Sequence, residues 1–116
     1  MNKEAYIYFM TTKHNTALYI GVTNNLLRRV AEHKAHINKG FTDTYNCEKL
    51  VYFEEFESPG RAIEREKQLK NWKREWKNAL VDEFNPKWED LSEKIGLTDE
   101  FIVSVKEHYK QERGDK

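Results

Sequence analysis

Apolar and aromatic residues occur in short dense runs separated by charged stretches. Ala5-Tyr6-Ile7-Tyr8-Phe9-Met10 has no charged side chain and predicts a strand buried on both faces. The polar stretch from Thr11 to Thr16, with Lys13-His14-Asn15 inside it, reads as a turn. Ala17-Leu18-Tyr19-Ile20 is then the returning strand of a hairpin, closed by Gly21. Asn24 or Asn25 caps a helix from about Leu26 to about Asn38, stopping before Gly40. Leu50-Val51-Tyr52-Phe53 gives a third strand. Ser58-Pro59-Gly60 opens a further helical stretch, in which Ala62, Leu69, Trp76 and Leu80 recur at helical spacing until Asn85-Pro86 stops it. Last comes a helix capped by Thr98, with Leu97 and Ile102 at the two positions of a hydrophobic staple. Its stripe of Phe101, Ile102, Val105 and Tyr109 needs covering by the chain's own core or by a partner. The order β-β-α-β-α-α predicts a small α/β (α+β) fold, a three-stranded antiparallel sheet flanked by helices.

Composition narrows the class. The chain has 116 residues, enough for one core. Its 20 basic and 20 acidic side chains cancel, but not evenly along the chain. Residues 1–80 hold 14 basic against 10 acidic, and residues 81–116 hold 6 against 10. The first part is therefore compatible with a nucleic-acid face, and the acidic last third with a protein contact or self-association through the C-terminal helix. Cys47 is the only cysteine, which excludes an intrachain disulfide and a thiolate-rich zinc site. No signal-peptide run follows Met1, and no apolar stretch of about 18 residues could span a membrane. The expectation is a soluble, cytoplasmic protein.

Few side chains here carry chemistry. On a helical wheel Leu26, Leu27, Val30, Ala31 and Ile37 define the apolar face of the first helix. Arg28 and Arg29 lie on opposite sides of it, and Arg29 shares its side with His33. The wheel separates the two arginines by side, not by depth. In the next helix Glu66 falls on the arc of Leu69, whereas Glu64 points away. A carboxylate there needs a partner, either a cation such as Arg29 or Lys70 or a bound metal ion. One carboxylate with waters suits magnesium, which keeps much of its hydration. His33-x-x-His36 has helical spacing but no third ligand in view, so zinc is not expected. Lys70, Lys73 and Lys77, interleaved with Trp72 and Trp76, predict a phosphate track along a helix that must bend or break near Lys70.

Taken jointly, the motifs resemble those of the GIY-YIG endonuclease superfamily. Tyr6-Ile7-Tyr8 looks like its first triplet and Tyr19-Ile20-Gly21 matches its second. Arg29-Val30-Ala31-Glu32-His33 resembles its arginine helix, and Ala62-Ile63-Glu64-Arg65-Glu66 its acidic helix. The likeness is to small stand-alone bacterial members related to the N-terminal nuclease domain of excinuclease C. It implies a nuclease-like domain over residues 1–95, with residues 96–116 as a helix and charged tail beside it. It also implies hydrolysis of DNA phosphodiester bonds, in DNA repair or processing, with Mg2+ or Mn2+. In that reading Tyr8, with a lowered pKa and assisted by His33, accepts the proton of the attacking water. Arg29 clamps the phosphate, Glu66 holds the metal and Tyr19 positions the reactants. Two departures stand out: Tyr6 replaces a glycine, and Val22 replaces a lysine that some members carry. An asparagine used by some members corresponds to Asn85 or, alternatively, Asn78. The rival readings are a nucleic-acid-binding module without useful turnover and an adaptor domain.

Overall fold

The computed structural model describes residues 3–37 and 40–112. Strand β1 (Ala5–Thr11) is the middle of a three-stranded antiparallel sheet in the order β2-β1-β3, with β2 at Leu18–Thr23 and β3 at Lys49–Phe56. Its central place explains the unbroken apolar run, because each face of β1 meets a different core. Ile7 and Phe9 enter one, with Ile20, Val51, Ala62, Leu69 and Val81. Tyr8 and Met10 enter the other, with Leu26, Val30, Ala31, Leu50, Leu91, Leu97 and Val105. The first core lies under α3 (Pro59–Lys70) and α4 (Arg74–Phe84). The second lies under α1 (Leu26–Lys34) and, after a four-residue α2 (Phe41–Thr44), the last helix α5 (Asp99–Glu112).

Helix ends follow local chemistry. Asn25 accepts from the Arg28 backbone N–H and starts α1. The helix ends at Lys34, not near Asn38, which lies outside the described residues. His36 takes a left-handed backbone, φ 54°, so that its N–H bonds the His33 carbonyl and the Ile37 N–H bonds that of Glu32. This Schellman closure ordinarily uses glycine. Here the His36 ring helps to hold the turn, bonding Asp43 Oδ1 at 2.9 Å through Nδ1 and Glu48 through Nε2. The break near Lys70 is present as well: α3 ends there and α4 begins at Arg74. Arg74 reaches back to the hairpin turn, donating to the Asn15 carbonyl at 2.8 Å and the Thr16 carbonyl at 3.3 Å.

The apolar stripe of α5 is covered within the chain. Val105 is buried, and Phe101, Ile102 and Tyr109 pack on the Tyr8–Met10 core, which leaves a partner little of that stripe to bury. Thr98 Oγ1 accepts from the Phe101 N–H, as expected of its cap. Among the described residues, no helix is long and apolar enough to cross a membrane.

Candidate functional site

The site begins at Gly21, which pairs directly across the sheet from Tyr8. A Cβ on residue 21 would stand 2.5 Å from the Tyr8 hydroxyl oxygen and 2.6 Å from Cζ, so only glycine lets the phenol lie across β2. The ring is 1% exposed, and its hydroxyl meets His33 Nε2 at 2.8 Å. His33 is itself 6% exposed, not a surface residue. Its Nδ1 lies 3.0 Å from Thr42 Oγ1, at the buried side of α2. Tyr19, adjacent on the same face, sets its ring centroid 6.1 Å from Tyr8 and 5.5 Å from His33. Phe41 extends this group outward, 6.2 Å from Tyr19.

The electrostatics correct one expectation. Burial raises the Tyr8 pKa, the neighbouring Tyr19 adds to the rise, and the Arg29 charge opposes it without winning. The phenol therefore stays protonated at neutral pH, and the lowered pKa required of a phenolate base is absent. His33 moves to about 4, first through burial and then through Arg29, against Glu32. It is a neutral imidazole at neutral pH. With Nδ1–H donating to Thr42, the Nε2 lone pair faces the Tyr8 O–H.

This arrangement predicts acid sensitivity. The unfolded chain protonates His33 near pH 6.5, the folded one near pH 4. Between these values the unfolded state binds more protons. The stability that His33 contributes is thus complete above pH 6.5 and falls as pH drops through the window, by at most about 1.4 kcal/mol per unit. His36 has the opposite sign. Its pKa is raised by the hydrogen bond to Glu48 against burial, so its contribution is full at acid pH and fades as pH rises. Urea melts at pH 7, 6 and 5 should show a falling midpoint that flattens in His33→Gln and persists in His36→Gln. An equal slope in His33→Gln would mean the ring is not buried neutral.

The arginines share a partner but differ in the groups their charge reaches. Both pair with Glu32, Arg28 Nε at 3.3 Å and Arg29 Nη1 at 3.6 Å, but only the charge of Arg29 bears on Tyr8 and His33. Glu66 comes from α3. Helix α3 packs on the sheet face opposite Tyr8, with Arg65 turned to Glu54 of β3. Glu66 follows Arg65 on this helix. Its side chain is 16% exposed and pairs with Lys70 at 3.4 Å. Lys70 and Lys77 share a hollow of about 240 Å³ with Leu18, Tyr19, Ile20 and Phe41. Tyr8, Tyr19, Arg29 and His33 are therefore brought together. Glu66 is linked to the hollow that Tyr19 lines by its pair with Lys70. Burial, Arg74 and Lys70 lower the Lys77 pKa, the mark of a crowded cationic patch. Lys73 leaves this track and lies over the Trp76 ring at 5.7 Å.

Asn85 is structural. Its amide donates to the Val51 and Glu89 carbonyls and its oxygen accepts from the Glu89 N–H, so it ties β3 to the segment after α4. Asn78, accepting from Arg74 Nε at 2.9 Å, is the asparagine that stands beside the cationic patch. Thr42 and Glu32 join the site without having been singled out by the sequence pattern. The arginines three and four positions before Glu32 signal it. Thr42 carries no comparable sequence signal.

Among the described residues no group of three or more His, Cys, Asp or Glu side chains is placed to hold a metal ion. A single-carboxylate site remains compatible with Glu66, whose side chain is 16% exposed and paired with one exposed lysine.

Residues 4–79 match the family model of the GIY-YIG catalytic domain. A UPF0213 protein of Staphylococcus haemolyticus is 36% identical over 78 residues, 67% of this chain and 94% of that protein. One of Clostridium perfringens is 35% identical over 92 residues, 79% of this chain and 98% of that protein. One of Haloquadratum walsbyi is 35% identical over 83 residues, with 72% and 92% covered. The solution NMR structure of a UPF0213 protein from Bacillus halodurans superposes with a TM-score of 0.49 at 26% identity, over 81% of this chain and 98% of that one.

Proposed function

This chain belongs to the GIY-YIG catalytic-domain family, and from that premise we propose that it binds DNA phosphates around Tyr19, Arg29, Lys70 and Lys77 and hydrolyses a phosphodiester, with Glu66 as the residue that would hold Mg2+ or Mn2+. The observation that carries the hydrolytic part is the buried line Tyr8–His33–Thr42 beside Arg29. Three polar side chains aligned inside a core cost stability unless each is satisfied. Their alignment also has a chemical use. A protonated Tyr8 accepts the proton of an attacking water as its own proton passes to Nε2 of His33. Thr42 holds the imidazole in the accepting tautomer. Arg29 neutralises charge building on the phosphate oxygens. A cation held by Glu66 would supply charge neutralisation at the leaving oxygen.

Two observations favour the second reading, a binding module with little turnover. Tyr8 is almost fully buried, and Glu66 is closed on Lys70. Binding thus draws on the residues as they stand, whereas cleavage requires Lys70 to release Glu66. Nicking of plasmid DNA with magnesium, abolished by chelator, decides for hydrolysis. Salt-sensitive binding without nicking decides for the module.

The cationic patch gives a graded test. Each lysine that neutralises a phosphate contributes about 0.9 to the slope of log affinity against log salt. Lys70→Gln/Lys77→Gln is expected to reduce that slope by about two, with Lys73→Gln adding little. An unchanged slope in fluorescence anisotropy would place the DNA elsewhere.

A further inference from the structure

Helix α5 lies past the family match, yet its last turns reach the arginine pair of α1. Tyr109 donates its phenolic hydrogen to Glu32 Oε2 at 2.9 Å. The same oxygen accepts from Arg28 Nε at 3.3 Å, and the Arg28 guanidinium lies over the Tyr109 ring, 5.9 Å from its centroid. The other carboxylate oxygen, Oε1, is 3.6 Å from Arg29 Nη1. Glu32 is 6% exposed. A carboxylate so far from water depends on these three partners for its charge to be tolerated. Two of the three, the Tyr109 hydroxyl and the Arg28 stacked on its ring, are tied to α5.

We propose that Tyr109 is a positioning residue for the Arg29 clamp: by fixing one oxygen of Glu32, the C-terminal helix makes the other a single lateral tether on Arg29, leaving the rest of the guanidinium for a phosphate. The inference rests on reading Arg29 as the phosphate clamp. Without the Tyr109 hydroxyl, Oε2 is held only by Arg28 Nε at 3.3 Å, and against that one longer contact the carboxylate turns toward Arg29 with both oxygens. Paired bidentate contacts of this kind are the strong ones for a guanidinium. A clamp bound in that way is neutralised and turned from its phosphate. Docking of α5 does not need the hydroxyl, since Val105, Phe101 and Ile102 supply its packing.

The test uses the full chain and Tyr109→Phe, which removes one oxygen and keeps the ring. The melting temperature is expected to change little, the Arg29 Nε–Hε NMR resonance to shift, and affinity for a short DNA duplex to fall about three- to tenfold. Val105→Ala, which loosens α5 without touching Glu32, should lower the melting temperature and leave the Arg29 resonance closer to that of the parent. In a Glu32→Gln background Tyr109→Phe should have no further effect, because its action runs through that carboxylate. An Arg29 resonance that does not move in Tyr109→Phe, or moves equally in the Glu32→Gln background, overturns the inference whatever the DNA result. A resonance that moves while Arg29→Ala binds DNA as the parent does upholds the tether and overturns the clamp reading instead.

Discussion

Glu66→Gln is expected to lower DNA cutting by about two orders of magnitude or more while leaving DNA binding intact. The substitution keeps the size and the hydrogen-bonding capacity of the side chain and removes the charge that would hold a cation. Its effect on binding has a definite sign. Glu66 now pairs with Lys70 at 3.4 Å, and Lys70 lines the hollow beside Tyr19. Loss of the carboxylate charge frees that lysine for a phosphate. A surface ion pair is worth about 0–1 kcal/mol, so affinity should be equal to that of the parent or tighter by no more than about fivefold. Anisotropy and nicking on the same preparation separate the two effects. A mutant that cuts as well as the parent makes Glu66 a partner of Lys70 and nothing more. A mutant that binds more weakly would show the carboxylate positioning the patch instead of restraining it.

The elements written in local signals were legible from the sequence. The hairpin, the Asn25 and Thr98 caps and the interruption near Lys70 each depend on residues a few positions apart. Side-chain depth was not local. The wheel set His33 on the Arg29 side of its helix, but Tyr8, twenty-five residues earlier, closes over it and buries both. That burial also reverses the expected shift of the phenol, since desolvation outweighs Arg29. Helix α2 is too short to carry an apolar period, which is why Thr42, the partner of His33 Nδ1, gave no signal. Glu66 was correctly set apart from Glu64 by the wheel, yet the wheel says nothing of which sheet face receives its helix. The face of Tyr8 and Met10 received α1 and α5, and the face of Ile7 and Phe9 received α3. The helix that carries Glu66 and the ring of Tyr8 therefore belong to opposite faces of the sheet.

Gly21→Ala tests whether the second triplet's glycine serves Tyr8 or only the strand. A methyl group at residue 21 would meet the hydroxyl oxygen, Cζ and Cε1 of Tyr8, all within 2.8 Å. The ring has no free direction in which to retreat. His33 holds its hydroxyl, Tyr19 flanks it, and the core of Met10, Val30 and Ala31 closes over it. Either β2 moves outward or Tyr8 loses its 2.8 Å bond to His33. Overpacking of this kind costs about 1–3 kcal/mol. For a domain of this size each kcal/mol corresponds to about 4 °C in melting temperature. Gly60→Ala is the control, because nothing lies within 4 Å of a Cβ at that position in the first turn of α3. It should be neutral or slightly stabilising, as alanine replaces glycine in a helix. The decisive readout is the His33 imidazole followed by NMR titration. If Tyr8 is displaced, water reaches the ring and its pKa climbs from about 4 toward the ordinary histidine value, with cutting lost alongside. A Gly21→Ala protein that melts like the parent, keeps a depressed His33 and cuts normally would show that β2 yields freely, and the glycine would then owe nothing to the phenol that lies on it.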